Sequence, residues 1–304
     1  MRSGSRVKPI VLLILVLASG CAPAATASPE LRVEEATDSA PPATRPSAEP
    51  VIRELTPDET VRIVTAVQEA DLVESVASPD EAWLAEVYAY DCVEVVPGQE
   101  YAYQELRLVK AGQVGASVAG SQLVACGGLG AYGLDGLFWS SNSRYFYFTD
   151  AATGVPDGCG FWKPPYWRVD TADLETERLG EGEVSPDGTL LAAWQEGRLA
   201  IWLIDGERVG RVEIPTALRT RGPISWRPDS TAVAFLVTES SCPLGETAVG
   251  RLDVADMQPV VVLSSADPAY SGILWDAPYR LALTAEDGGE WRYNLTTEDL
   301  RRVR

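Results

Sequence analysis

The sequence offers many carboxylates but no imidazole. It contains 44 Asp and Glu residues and no His. Without His, Ser-His-Asp and Cys-His catalysis, His general bases and His-containing zinc sites are excluded. Four acids, Glu74, Asp135, Glu183 and Asp276, fall near predicted strands, where a pair of carboxylates could hydrolyse a glycosidic bond. Glycosidase chemistry is therefore the enzymatic alternative to a function in binding.

The cysteines are the next residues with chemistry of their own. Besides Cys21, the chain has four, Cys92, Cys126, Cys159 and Cys242. An even number in an exported chain favours two disulfides, and three pairings are open. A four-thiolate metal site would need paired C-x-x-C spacing, which the sequence lacks. We predict structural cysteines, no metal site, no cofactor and no catalytic residue.

The amino terminus has the layout of a secretion signal. Arg2, Arg6 and Lys8 precede nine apolar residues, 10–18, and two small residues follow. At 1.5 Å per residue this apolar run spans about 14 Å, well short of a hydrocarbon core of about 30 Å. We therefore expect residues 1–20 to be cleaved rather than to remain as a membrane helix.

The residue at the predicted cleavage site indicates a lipid anchor. The segment Leu17-Ala18-Ser19-Gly20-Cys21 resembles the lipobox of bacterial lipoproteins, although Ala18 stands where that family prefers Leu. The resemblance implies that Cys21 is lipidated and becomes the first residue of the mature chain. Its acyl chains would hold the protein on the extracytoplasmic side of a bacterial membrane in the cell envelope.

Composition divides the mature chain into three parts. Residues 21–50 are rich in Ala, Pro, Thr, Ser and Glu without an aromatic residue, which predicts a disordered linker. Thr56-Pro57-Asp58-Glu59 has the form of a capping box, so residues 51–71 should be a helical lead-in with a helix from Pro57 to about Ala70. This helix could pack on the following domain or bind a partner. The remaining residues, 72–304, form one domain.

The charge of the chain limits its partners. Loss of the three basic residues of the leader leaves 22 Lys and Arg against 44 acids, a net charge near −22. Such a surface repels phosphate backbones and anionic headgroups. We expect a monomer that binds no nucleic acid and contacts the membrane only through its lipid anchor.

A repeated pattern predicts the fold of residues 72–304. An apolar strand, a tight turn containing Ser, Pro and Asp, and a second apolar strand recur five times. The turns lie at Ser78-Pro79-Asp80, Ser140-Ser141-Asn142, Ser185-Pro186-Asp187-Gly188, Arg227-Pro228-Asp229 and, in an eroded copy, Asp276-Ala277-Pro278. They are spaced 62, 45, 42 and about 49 residues apart. Periods of about 40 to 50 residues built of short strands are typical of β-propeller blades.

Further strands complete each repeat. Third strands end in an acid or amide at Asp170, Asp205, Asp253 and Asn294. Fourth strands follow in three of these copies, at 177–179, 208–212 and 260–263. The Trp-Ser-Pro-Asp-Gly turn with its flanking strands resembles the TolB-type repeat, a relative of WD repeats, over residues 72–304. The resemblance implies an all-β fold, a single β-propeller of about five four-stranded blades. Trp139, Trp226 and Trp275 precede three turns and should be core residues between adjacent sheets.

Long connections predict a binding face. Those near 89–102, 150–166 and 239–248 should emerge at one end of the propeller. The blade-to-blade connection that contains Cys126 should emerge on the same face. The candidates for the binding face are aromatic residues and one lysine on these connections: Tyr90, Tyr101, Tyr132, Phe161, Trp162, Lys163 and Tyr166. Alternatively, the aromatic rings fold down and cap the channel.

Together these features favour a binding or scaffold module for a protein or glycan. The lipid anchor, the lack of His and the absence of a G-x-S-x-G or phosphate-binding loop all speak for binding rather than catalysis. The alternative is the carboxylate hydrolase of the glycosidase type, with its site in the propeller channel.

Overall fold

The computed structural model describes residues 55–127, 133–151, 161 and 163–304. This part of the chain is all-β apart from one helix. In chain order its elements are α1 (Pro57–Val67), β1 (Asp71–Ala77), β2 (Trp83–Val96), β3 (Gln99–Lys110), β4 (Ala116–Ala125), β5 (Leu134–Trp139), β6 (Tyr145–Asp150), β7 (Pro165–Asp170), β8 (Thr176–Val184), β9 (Leu190–Gln195), β10 (Arg198–Leu203), β11 (Arg208–Val212), β12 (Thr220–Trp226), β13 (Ala232–Thr238), β14 (Thr247–Asp253), β15 (Pro259–Ser265), β16 (Tyr270–Ala277), β17 (Arg280–Ala285), β18 (Glu290–Asn294) and β19 (Asp299–Arg302). Within these residues, no helix has the length and apolar character needed to cross a bilayer.

Consecutive strands pair antiparallel into meanders. Strands β1–β4, β12–β15 and β16–β19 each form a four-stranded sheet, and β5–β11 form a seven-stranded sheet. The larger sheet consists of two four-stranded meanders that share β8. The first part of β8 pairs with β7, whereas its residues from Glu181 to Val184 pair with β9. The predicted succession of four-stranded antiparallel units is confirmed, and the shared strand is a feature that we did not predict.

Gly180 permits β8 to change partners. Its φ of +103° lies where residues with a Cβ are rarely found, and an added Cβ would overlap the carbonyl oxygen of Trp194 on β9. The backbones of β8 and β9 therefore approach each other as closely as only glycine allows.

The helix follows the predicted capping box. The Glu59 amide donates to Thr56 Oγ1 at 3.3 Å, and the Thr56 amide donates to Glu59 Oε2 at 3.0 Å. Val64 is fully buried where the helix packs on β2 and β3. The helix ends at Val67 rather than near Ala70, because Gln68 is already extended and β1 begins three residues later.

The Ser-Pro-Asp segments form the predicted turns between first and second strands. In the third meander the Ser185 hydroxyl donates to Asp187 Oδ1 at 2.6 Å and accepts from the Leu190 amide at 2.9 Å. The Thr189 amide adds a bond to the same carboxylate oxygen at 3.0 Å. The corresponding serines of the first and second meanders make the same pair of bonds, at Ser78 and Ser140. These bonds fix the strand register at each turn.

Asp187 makes one of these turns sensitive to acid. Hydrogen bonds, chiefly from Ser185, lower the pKa of its carboxyl group from 3.8 to about 2. The ionised form is thus preferred in the folded state, so its stabilising effect is complete above pH 3.8 and is lost as the pH falls through about 2. We expect Asp187→Asn to lower the free energy of unfolding at pH 7 but to match the parent chain below pH 2.

Denaturant unfolding at several pH values measures this difference. Asp267→Asn, at an exposed loop position, serves as the control. A destabilisation by Asp187→Asn that stays constant from pH 7 to pH 2 would show that the carboxylate charge does not support the turn.

Tryptophan side chains connect successive meanders. The Trp139 indole on β5 donates to the Val76 carbonyl on β1 at 3.0 Å, and the Trp226 indole on β12 donates to the Glu183 carbonyl on β8 at 2.7 Å. Trp226 and Trp275 are buried and Trp139 is partly buried, which confirms their prediction as core residues between sheets. The first strands of neighbouring meanders also lie side by side, β1 near β5, β8 near β12 and β12 near β16. This is a propeller-type arrangement.

The long loop predicted at residues 89–102 is wrong. This segment is not a loop, since β2 and β3 continue through it as a long hairpin that turns at Pro97 and Gly98. Alternating β-branched residues and the Pro-Gly turn favour the hairpin, with Gly98 at φ +78°. The disulfide Cys92–Cys126 ties this hairpin to the end of β4. Cys242 is also disulfide-bonded, while Cys159 lies outside the described residues.

Candidate functional site

A cavity of about 580 Å³ opens where the first strands of three meanders begin. We call it the loop-end cavity, because the connection between β6 and β7 also reaches it. The six residues that define it here carry aromatic, cationic or hydroxyl groups: Phe161, Lys163, Arg178, Trp194, Arg221 and Ser271. They come from β8, β9, β12, β16 and the β6–β7 connection, so only the folded arrangement brings them together.

Arg221 is the most unusual of these residues. It stands near the start of β12, just before a bulge at residues 222–223, and its guanidinium lies over the Trp194 ring at 5.2 Å from the centroid. The Trp194 indole is held in place because it donates to the Gly222 carbonyl at 2.7 Å. Nη1 of Arg221 makes one long bond of 3.5 Å to the Leu218 carbonyl. Nε is buried and has no acceptor among the described residues.

The surroundings of Arg221 also oppose its charge. Burial, followed by the nearby positive charge of Arg219, lowers the pKa of the Arg221 guanidinium. No described carboxylate forms an ion pair with it. In an acidic chain with 44 Asp and Glu residues, a partly buried arginine with no acidic partner among the described residues can pair with an added anion without first losing an ion pair.

The other two cations of the cavity have partners. Arg178 Nη2 bonds Glu181 Oε1 at 2.9 Å, and Lys163 pairs with Glu183. Both pairs are half-exposed, so each contributes little to stability and can rearrange when a ligand binds. Of the three cations at the cavity, Arg221 is therefore the one that has no acidic partner among the described residues.

Phe161 forms an apolar wall of the cavity. An added Cβ on Gly222 would lie 3.2 Å from Phe161 Cε2 and 2.9 Å from the Cβ of Leu236, so the ring packs closely on this glycine. Glycine at residue 222 therefore lets the β6–β7 connection approach β12. The ring stays partly exposed and presents an edge to the cavity.

The structure brings only part of the predicted binding face together. Phe161 and Lys163 line the loop-end cavity as neighbours. Tyr132 and Trp162 lie outside the described residues. Tyr90 and Tyr101 are on the β2–β3 hairpin, where the Tyr90 ring contacts Tyr103 at 5.6 Å between centroids.

The prediction that Tyr166 lies on a loop of the binding face is also wrong. Tyr166 belongs to β7 rather than to a loop, and the alternation of a strand places it away from Pro165, which lines the loop-end cavity. Its ring packs edge-on against Phe138 at 6.4 Å. Burial, followed by the charge of Asp135, raises the pKa of Tyr166. Tyr166 lines a second cavity.

This second cavity, of about 850 Å³, lies along β5 toward the turns and contains several acids. Two of its carboxylates serve the structure: Asp187 binds its own turn, and Asp205 accepts from the amide and hydroxyl of Ser141. Asp135 accepts from the Gly136 amide at 2.6 Å. Among the described residues, no group of three or more potential metal ligands is present.

The acids considered for glycosidase chemistry are dispersed or paired. Glu183 binds Lys163, and Asp276 binds Arg280 at 2.9 Å and Arg292 at 3.4 Å. Glu74 is exposed on β1. No two of these four acids line the same cavity among those described.

Sequence reasoning missed Arg221, Arg178 and Trp194. Arg221 adjoins Gly222 and Pro223 at the start of a predicted first strand, and this Gly-Pro pair is the only signal near it. The three residues lie on different strands, and their convergence depends on how β8, β9 and β12 pack. Composition offered no signal for it, because arginines are spread along the chain.

Comparisons with solved structures include two distant likenesses. No protein-family model and no curated protein matches the chain. The crystal structure of TolB from Acinetobacter baumannii matches at 12% identity and a TM-score of 0.33, covering 76% of this chain and 53% of that one. Dipeptidyl peptidase 4 from Porphyromonas gingivalis matches at 11% identity and a TM-score of 0.41, covering 80% and 41%. The chain thus spans about half or less of each, and neither likeness indicates its function.

Proposed function

We propose that this chain is a lipid-anchored binding protein of the bacterial cell envelope. In this proposal the signal 1–20 is removed, Cys21 carries the anchor, and residues 21–50 tether a recognition domain. The five meanders act as blades of one propeller, and the domain binds a protein or glycan without changing it chemically.

The observation that carries the proposal is the loop-end cavity. It combines an aromatic edge, an arginine without a counter-charge among the described residues, and hydroxyl and carboxylate groups in about 580 Å³, within the usual range of ligand pockets. The acids at its margin are paired with Lys163 and Arg178 rather than free to act on a substrate. Such a site is suited to holding a ligand.

Phe161→Ala tests whether this cavity is the binding site. Loss of the ring removes apolar contact with a bound ligand, and we expect affinity to fall about tenfold, since a truncated aromatic contact is often worth more than about 1 kcal/mol. The mature chain would be screened against glycan arrays and membrane-fraction proteins, and the binder found would then be titrated against parent and variant by calorimetry.

Tyr279→Ala is the matched control. Tyr279 is an aromatic residue, 65% exposed, that does not line the cavity, so its loss should leave affinity unchanged. If the parent binds nothing in either screen, or if both variants bind as the parent does, the proposal is wrong.

A further inference from the structure

We propose that the loop-end cavity recognises the carboxylate of an acidic sugar residue, with the Arg221 guanidinium as its anchor. This inference rests on the proposed binding function and specifies its ligand class. It assigns to Arg221 the role of a ligand-binding residue, flanked by Arg178 and Lys163.

The argument begins with the free edge of Arg221. The long bond from Nη1 to Leu218 uses one corner of the guanidinium, and stacking on Trp194 fixes its plane. The edge formed by Nε and Nη2 has no acceptor among the described residues. That edge presents two parallel donors with the spacing of the two oxygens of a carboxylate.

The unliganded conformation is costly, and binding would relieve it. Nε is shielded from water and makes no hydrogen bond, so it has lost its hydration without compensation. Arg221 lines the loop-end cavity, so a carboxylate bound there can approach this donor. Ligand binding thus satisfies a donor that the protein leaves unpaired.

Electrostatics favours one compact negative group. The mature chain repels anions at a distance because of its net charge, whereas Arg221, which has no acidic partner among the described residues, attracts an anion at short range. The surrounding acids, including Glu181 and Glu183, would repel the further charges of a polyanion whose charges are closely spaced. A single carboxylate on an otherwise neutral unit fits this pattern best.

The rest of the lining fits a sugar ring. Phe161, Pro165 and Pro223 offer apolar surface for the C–H faces of a ring, while Glu181 and Ser271 can bond its hydroxyls. The cavity volume is enough for roughly one or two such rings, since ligand pockets of about 300 to 1,000 Å³ take molecules of that size. A peptide terminus would offer fewer hydroxyls to these polar groups.

The test uses three sugars that each carry a single carboxylate, namely glucuronic acid, galacturonic acid and sialyllactose, each beside its carboxyl-reduced neutral form. We expect at least one acidic probe to bind the mature chain, and its neutral form to bind at least ten times more weakly. Arg221→Gln should weaken that binding about 10- to 100-fold, as expected for loss of a charge-assisted pair. Arg221→Lys keeps the positive charge but loses the two parallel donors of the guanidinium. Its affinity should therefore lie between those of the parent and of Arg221→Gln.

Arg219→Gln is the matched control, because it removes the same charge at an exposed position two residues away. It should change affinity less than twofold. Without ligand, Arg221→Gln should unfold at the same denaturant concentration as the parent or at a higher one, since it removes an unsatisfied buried donor. This keeps the test independent of folding defects.

Several outcomes would overturn the inference. Equal binding of acidic and neutral probes, unchanged affinity of Arg221→Gln, or binding only of peptides with a free carboxyl terminus would each do so. If a neutral glycan or a protein binds and Phe161→Ala abolishes that binding, the proposed function stands and only the ligand class is wrong. If nothing binds, both proposals fail.

Discussion

Replacing Cys21 by Ser is expected to move the whole chain from the membrane fraction to the soluble fraction and to abolish incorporation of a labelled fatty acid. The thiol of Cys21 is the only group at the predicted cleavage site that can form a thioether with a lipid. Two or three acyl chains contribute about 0.8 kcal/mol per buried methylene, enough for permanent anchoring. We predict no second anchor, so a variant chain from which residues 1–20 have been removed should leave the bilayer.

Ser28→Ala is the matched control for this experiment. It changes a hydroxyl residue in the predicted linker and should leave both labelling and membrane attachment intact. The measurement is acyl labelling of the expressed chain followed by membrane fractionation and mass determination of its amino terminus. Labelled, membrane-bound Cys21→Ser protein would show that the anchor lies elsewhere and that the lipobox resemblance is accidental.

The helix cap and the turns, which short segments of sequence specify, were predictable. The capping box at Thr56 and the turns at Ser78 and Ser185 depend on hydrogen bonds within about five residues, so residue type and spacing specify them. The recurrence of these turns then predicted the four-stranded units, because each turn implies two antiparallel strands.

The extent of the strands was harder to predict. We took Cys92 and its neighbours as part of a loop because an insertion in one repeat breaks the period. The structure instead lengthens β2 and β3, whose cross-strand pairs continue to Val96 and Gln99. Pairing energy extends a hairpin for as long as both sides favour the β conformation, and a count of repeat lengths does not register this.

The candidate site depended on contacts that the sequence does not specify. Phe161 and Lys163 were found because they lie on an insertion, whereas Arg221 lies within a strand of ordinary length. Its importance arises from what it lacks, an acceptor for Nε and a carboxylate partner among the described residues. Such deficits exist only once the neighbouring side chains are in place.

The shared strand β8 illustrates the same limit. The sequence places a fourth strand at residues 177–179 and the end of a first strand at Val184, which leaves no room for a connecting turn. Gly180 and Gly182 between them are the signal that one strand continues through both units. Glycine within a strand marks close backbone approach, and here it marks the passage from one meander to the next.

Gly180→Ala should be the most destabilising of the point changes proposed for the folded domain. Its φ of +103° is strained for alanine, and the new methyl group would overlap the Trp194 carbonyl oxygen, so β8 and β9 must separate. Backbone strain of about 1 to 3 kcal/mol and a steric cost of about 1 to 3 kcal/mol together predict a loss of roughly 4 kcal/mol. At about 2 to 4 °C per kcal/mol, the melting temperature should fall by roughly 10 °C.

Gly188→Ala separates the steric effect from the backbone effect. Gly188 also has a positive φ, +72°, but an added Cβ there meets nothing within 4 Å. It should therefore cost only about 1 to 2 kcal/mol of left-handed strain. Because Trp194 supports Arg221, Gly180→Ala should also weaken ligand binding at the loop-end cavity, whereas Gly188→Ala should not. Equal free energies of unfolding for the two variants would mean that β8 and β9 have room to part, and that one strand does not tightly join two meanders.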